Sequence, residues 1–113
     1  MGGLLMFFRA KLVLFALHTV SLTWNPSQTP NVTYQVFRET SPGACAFSDT
    51  QRPACSLVLN TANTNAQDFV APGTYYYVVR AMDSLGNLSV FSNEAQALVR
   101  PAAPVVNNPV VQP

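Results

Sequence analysis

The sequence predicts an all-β domain built as a two-sheet sandwich. Three observations predict it: apolar and polar residues alternate in short runs, turn-forming residues punctuate those runs, and no stretch between them carries a 3.6-residue apolar period. Short strands joined by turns, with no helix to cross between them, pack sheet on sheet rather than as βαβ units.

The strictest alternation is His18-Thr-Val-Ser-Leu-Thr-Trp24, where Val20, Leu22 and Trp24 share one parity and Thr19, Ser21 and Thr23 the other. One face of that strand is therefore buried and one wet. Asn25-Pro26-Ser27 and Thr29-Pro30-Asn31 break it. A second strand runs from Thr33 to Glu39 (TYQVFRE) with Tyr34 and Val36 inward, a short third from Ser56 to Asn60 (SLVLN), and a weak fourth from Asn65 to Val70. Gly73 to Met82 (GTYYYVVRAM) is the fifth and strongest, aromatic and β-branched and nearly apolar on both faces, which places it centrally in a sheet. It ends at Asp83-Ser84-Leu85-Gly86-Asn87, where Gly and Asn tolerate positive φ and Asp and Ser bond their own backbone. Glu94 to Val99 (EAQALV) is a sixth.

Composition bounds the function. A chain of 113 residues forms one core with tails. Charged residues make up 10% of it, against roughly 25% in a typical soluble protein. Net charge is +1, and the six basic residues are scattered singly, so nothing directs the chain to nucleic acid. Nine prolines and a single lysine, Lys11, suit an extracellular β-domain better than a cytosolic enzyme.

Four pieces together carry a family resemblance: "VSLTWNPS" with its tryptophan, "YQVFRE", "PGTYYYVVRAMDSLGN" and "SVFSNEAQALV". In order and spacing, residues 18–100 resemble a fibronectin type III module of the kind found in bacterial secreted and surface proteins. The resemblance implies an immunoglobulin-like sandwich with strands A, B and E in one sheet and C′, C, F and G in the other. It also puts Tyr75, with Tyr76 as the alternative, at a tyrosine corner, a ring in the core whose hydroxyl bonds back to the backbone. Tyr77, Val79 and Ala81 then share the inward parity of Tyr75, completing a core with Val20, Leu22, Trp24, Tyr34 and Val36. Tyr76, Val78, Arg80 and Met82 face outward.

Strand A is absent or atypical. Residues 1–17 run into strand B without Gly, Pro, Asn or Asp after Gly3. Three readings stay open. A signal peptide fits poorly, because Arg9 and Lys11 split the apolar run and no A-x-A follows. A transmembrane helix needs about 20 apolar residues. The favoured reading is a segment standing where strand A belongs; it is helical, as the spacing of Leu4, Phe8 and Leu12 allows, or packs across the open edge of strand B. An unpaired edge there invites association with another chain. Residues 101–113, Pro-rich with small and β-branched residues, read as an extended tail or linker.

Candidate chemistry is sparse. His18 is the single histidine, and Glu39, Asp49, Asp68, Asp83 and Glu94 are dispersed, with no two forming an acid–base motif. Asp83 with Asn87 lacks the alternating acidic ligands of a calcium loop, and Ser, His and Asp occur without a nucleophile elbow. Asn31-Val32-Thr33 and Asn87-Leu88-Ser89 match the glycosylation acceptor pattern. No enzyme, cofactor or metal site is expected. Cys45 and Cys55, the only cysteines, lie in the loop between strands C and C′ and are expected to form a disulfide; two reduced thiols are the other reading, and zinc lacks ligands. Such a bridge should steady the loop and leave the sandwich intact on reduction.

The outward side of the C-F-G sheet is the candidate binding face: Phe37, Tyr76, Val78 and Leu98 with Arg80, bordered by Gln35, Glu39 and Glu94. Its alternative is ordinary surface hydrophobicity or cover by the N-terminal segment. These features predict a non-catalytic binding, adhesion or spacer module of a secreted or cell-surface protein, facing a protein or polysaccharide. The alternatives are a structural subunit assembling through strand edges or apolar ends, and an accessory fragment of a larger secreted hydrolase.

Overall fold

The computed structural model describes residues 17–46 and 54–113; the expectations placed on residues 1–16 and 47–53 lie outside them. Six strands follow in chain order: β1 (His18–Thr23), β2 (Thr33–Glu39), β3 (Cys55–Thr61), β4 (Asn65–Val70), β5 (Gly73–Met82) and β6 (Ala95–Val99). Expected and observed strands agree to within a residue at each end. Trp24 falls just past β1, yet its N–H still donates to the carbonyl of Thr64 at 3.1 Å.

The strands form two antiparallel sheets, β1-β4 and β3-β2-β5-β6. The register of β1 on β4 runs without interruption from His18↔Val70 to Thr23↔Asn65. Between β2 and β3 it shifts at Val36/Phe37, which leaves Val58 as an extra residue on β3. The two sheets face each other as in a β-sandwich. Arg38 and Tyr77 of the larger sheet bond Asp68 of the smaller, and Trp24 meets Tyr34 edge-on with ring centroids 5.6 Å apart.

Alternation decides what is inside. In β4 it is complete: Ala66, Asp68 and Val70 are buried while Asn65, Gln67 and Phe69 are exposed. In β1, Val20 and Leu22 are only half-buried and the residues between them are exposed. β2 and β5 lie centrally, and β2 is buried on both faces at Val36 and Phe37. Tyr34, Val36, Tyr77 and Ala81 are buried in the interior, while Trp24, Tyr75 and Val79 are half-buried. The Tyr75 hydroxyl donates to the carbonyl of Ala71 at 2.7 Å, tying the start of β5 to the turn before it.

The turns obey local chemistry. Asp83 Oδ1 accepts from the N–H groups of Leu85 and Asn87, at 2.9 and 2.8 Å. Gly86 takes a φ of +85° there, which a side chain would strain. Beyond β6, residues 101–113 are exposed and form no strand. Among the described residues no helix is long and apolar enough to cross a membrane.

Cys45 and Cys55 form a disulfide, with Cα atoms 5.2 Å apart, inside the range of about 4.4–6.8 Å that the bond requires. Both cysteines are 1% exposed and pack with Phe37 and Val78. A bridge that steadies the loop alone would lie on the surface. This one roofs a second, small core on the outer side of the larger sheet.

Candidate functional site

The residues expected to make a binding face do share one side of the larger sheet. Cross-strand register sets Gln35 opposite Arg80, Phe37 opposite Val78 and Glu39 opposite Tyr76, with Leu98 beside Thr74. They do not make an open face. Phe37 and Val78 are 3% and 6% exposed, under the disulfide, Ala44 and Phe91. Arg80 stacks between two rings, 5.1 Å from the centroid of Phe37 and 5.0 Å from that of Phe91, and its Nε donates to Gln35 Oε1 at 2.7 Å. Tyr76 is half-buried; of the five, only Leu98 is exposed. The expected exposed patch is therefore corrected to a covered one. The cover comes from the Ser41–Ala46 turn and the β5–β6 connection, two segments whose path alternation does not specify.

Two carboxyl groups that look unrelated in the sequence hold this cover down. Glu39 is 1% exposed, and its Oε2 accepts from the Cys45 N–H at 2.7 Å. Glu94 Oε2 accepts from the N–H of Gly43 at 2.8 Å, where φ is +72°. Glu39 Oε1 is buried without an acceptor or donor partner among the described residues. Burial first, and then the neighbouring Glu94 carboxyl, push Glu39 up to about 7. A proton on Glu39 relieves the like-charge repulsion with Glu94. Nothing in the sequence signals this pair, whose members are brought together by the turn.

Between the sheets lies a second polar cluster. Asp68 accepts from Arg38 Nη1 and from the Tyr77 hydroxyl, the latter at 2.8 Å, and its Oδ1 accepts from the N–H of Phe69 at 3.0 Å. Burial and then Asp68 push the Tyr77 phenol upward, so it stays a donor. These groups satisfy one another and bind the sheets together. His18 opens β1 opposite Val70.

What remains open is the loop end formed by the β5–β6 connection. Ser89 and Ser92 bond back to β5 through both backbone and side chain: their N–H groups donate to Ala81 and Val79 carbonyls at 2.8 Å, and their hydroxyls accept from the same two residues' N–H groups. Serine hydroxyls thus replace ladder partners and fix the connection against the strand. That arrangement turns Phe91 onto Phe37, ring to ring at 5.6 Å, and leaves Leu85, Leu88 and Val90 exposed at 85%, 49% and 89%. Beside them opens a pocket of about 290 Å³, lined in part by Trp24, Tyr34, Val90 and Phe91. The sequence marks this stretch as turn residues, but not which of its apolar side chains are left outside. Among the described residues no group of three His, Cys, Asp or Glu side chains is placed to hold a metal. Compared with known proteins, the chain matches no family model and no curated sequence.

Proposed function

We propose that this chain is a non-catalytic binding module of a secreted or cell-surface protein, of fibronectin type III kind, and that it meets its partner through the loop end at Leu85, Leu88 and Val90. The exposure of these three aliphatic side chains on a connection pinned by Ser89 and Ser92 carries the reading. Exposed apolar groups on a rigid element are where contact with a partner gains most from water release and loses least to ordering. Aliphatic tips beside a shallow apolar pocket suit a protein surface. A polysaccharide is recognised by open aromatic faces, and here Trp24, Tyr34 and Phe91 lie half or fully covered.

Sheet order supports the family: β1-β4 and β3-β2-β5-β6 correspond to B-E and C′-C-F-G of that fold. The buried disulfide supports an oxidising, extracellular setting, and a bacterial surface protein is the source the resemblance implies. The exposed Pro-rich residues 101–113 serve as a spacer.

The test compares the wild-type chain with the triple variant Leu85→Asn, Leu88→Asn and Val90→Asn, each immobilised against surface and secreted proteins and against insoluble polysaccharides. Retention of a protein by the wild type that the variant loses, with unchanged thermal unfolding, is expected. Polysaccharide retention that the variant keeps would overturn the reading.

A further inference from the structure

We infer that residues 101–113 of one copy dock on the loop end of another, so that copies join tail to pocket. The inference rests on the loop-end reading and names its partner. The two surfaces lie at opposite ends of the domain. β6 runs antiparallel to β5 and finishes with Val99 opposite Gly73, whereas the loop end begins where β5 finishes, at Met82. The 10 extended residues of β5, at about 3.3 Å each, separate those ends. A chain leaving β6 therefore moves away from its own loop end. The loop end is made of described residues alone, and Leu17, Ala46 and Ala54 lie toward the Gly73 end.

The tail has the character of a ligand. Pro104-Val105-Val106 returns as Pro109-Val110-Val111, and residues 101–113 carry no charged side chain. Val105, Val106, Val110 and Val111 are between 80% and 89% exposed, so their own domain does not cover them. Prolines hold such a segment extended with its backbone carbonyls free. A segment already extended loses little freedom when it is bound.

The pocket at the loop end is the matching receptor. Extended, proline-rich segments are received by grooves lined with aromatic rings. Here the pocket of about 290 Å³ is lined in part by Trp24, Tyr34, Val90 and Phe91. Trp24 and Phe91 are half-buried, which leaves ring surface within reach of a narrow aliphatic segment. The Trp24 indole N–H has no acceptor among the described residues, and the free carbonyls of an extended tail are acceptors. Residues 24–32 and 84–93 carry no charged side chain, so closing tail on pocket buries no charge. Tail and pocket are different surfaces, and each copy offers one of each. The interface is heterologous.

Sedimentation velocity on the full chain, disulfide intact, from micromolar to millimolar concentration tests this, with emission of the single tryptophan, Trp24, as a second readout. Association that grows with concentration and shifts the Trp24 emission is expected. Val105→Asn, Val106→Asn, Val110→Asn and Val111→Asn together should weaken it by about tenfold or more in Kd. Leu85→Asn, Leu88→Asn and Val90→Asn together should do the same, with unchanged circular dichroism. Mixed in equal amounts, the tail variant and the loop-end variant should recover a two-copy species, since one keeps the pocket and the other the tail. A wild-type chain that stays single throughout, association indifferent to either variant, or a mixture that recovers nothing would each overturn the inference. A wild type that stays single leaves the loop-end reading to its own capture experiment. A loop-end variant that loses neither association nor capture sinks both.

Discussion

Arg38 and Asp68 join the two sheets: Nη1 of the guanidinium lies 2.8 Å from Oδ2 and 3.0 Å from Oδ1, and the Tyr77 hydroxyl donates to the same Oδ2. The Asp68 side chain is 9% exposed and that of Arg38 30%. Removing one partner strands the other in a region of low dielectric, at a cost of about 3–5 kcal/mol for a fully buried pair. Because Arg38 reaches solvent, Asp68→Ala should cost roughly 2–4 kcal/mol, read from denaturant midpoints. Replacing both, as Arg38→Met with Asp68→Leu, should recover most of the loss. A double variant as unstable as the single one would contradict this account.

Glu39 predicts a pH dependence. Its carboxyl is raised from 4.5 to about 7 in the folded chain. A raised acid binds its proton more tightly when folded, so the stabilisation is complete below pH 4.5, falls as pH rises through about 7, and is absent above. The expected loss is on the order of 2 kcal/mol between pH 5 and 9. Glu39→Gln keeps an acceptor for the Cys45 N–H and should flatten the profile. Unfolding midpoints across that range, for wild type and variant, give the comparison; a wild type whose stability rises with pH would reverse the assignment.

The disulfide should matter beyond its loop. Closing a loop of this length contributes about 2–3 kcal/mol by restricting the unfolded chain. Since Cys45 and Cys55 roof Phe37 and Val78, replacing both with Ala should also speed hydrogen exchange at those two amides. Exchange accelerated only at residues 41–46 would return the bridge to a purely local role.

Trp24 and Tyr75 separate packing from hydrogen bonding. Trp24→Ala removes a ring that contacts Tyr34 edge-on, and its partial exposure puts the cost near the lower end of the ~3–5 kcal/mol range. Tyr75→Phe loses only the bond to the Ala71 carbonyl, about 1–2 kcal/mol. Denaturant curves should rank them in that order. Equal losses would mean that the Ala71 contact does more than anchor a turn.

Strands were legible because alternation is a one-dimensional signal. Val20 and Leu22 against Thr19, Ser21 and Thr23 identify β1 and its inner face, and the aromatic, β-branched run at 73–82 identifies a central strand. The turn at Asp83–Asn87 was legible for a similar reason, since Asp83 bonds groups two and four residues away. The two cysteines, ten residues apart in one loop, made their bridge readable as well.

What lay beyond the sequence depends on contacts between segments far apart in the chain. Parity alone sets Phe37 and Val78 outward, but only the folded path of residues 41–46 and of Phe91 decides that outward means covered. Glu39 and Glu94 are two of five scattered carboxylates until the turn at Gly43 draws both onto its N–H groups. Arg38 shares the inward parity of Tyr34 and Val36, and what makes that tolerable is Asp68, thirty residues on, in the strand with the weakest sequence signal. The sequence by itself determined which residues form strands and which way each side chain points, because that is set by φ, ψ and a period of two. Which faces are closed and which charges are paired were decided by the tertiary structure, because burial belongs to the whole arrangement and not to any one strand.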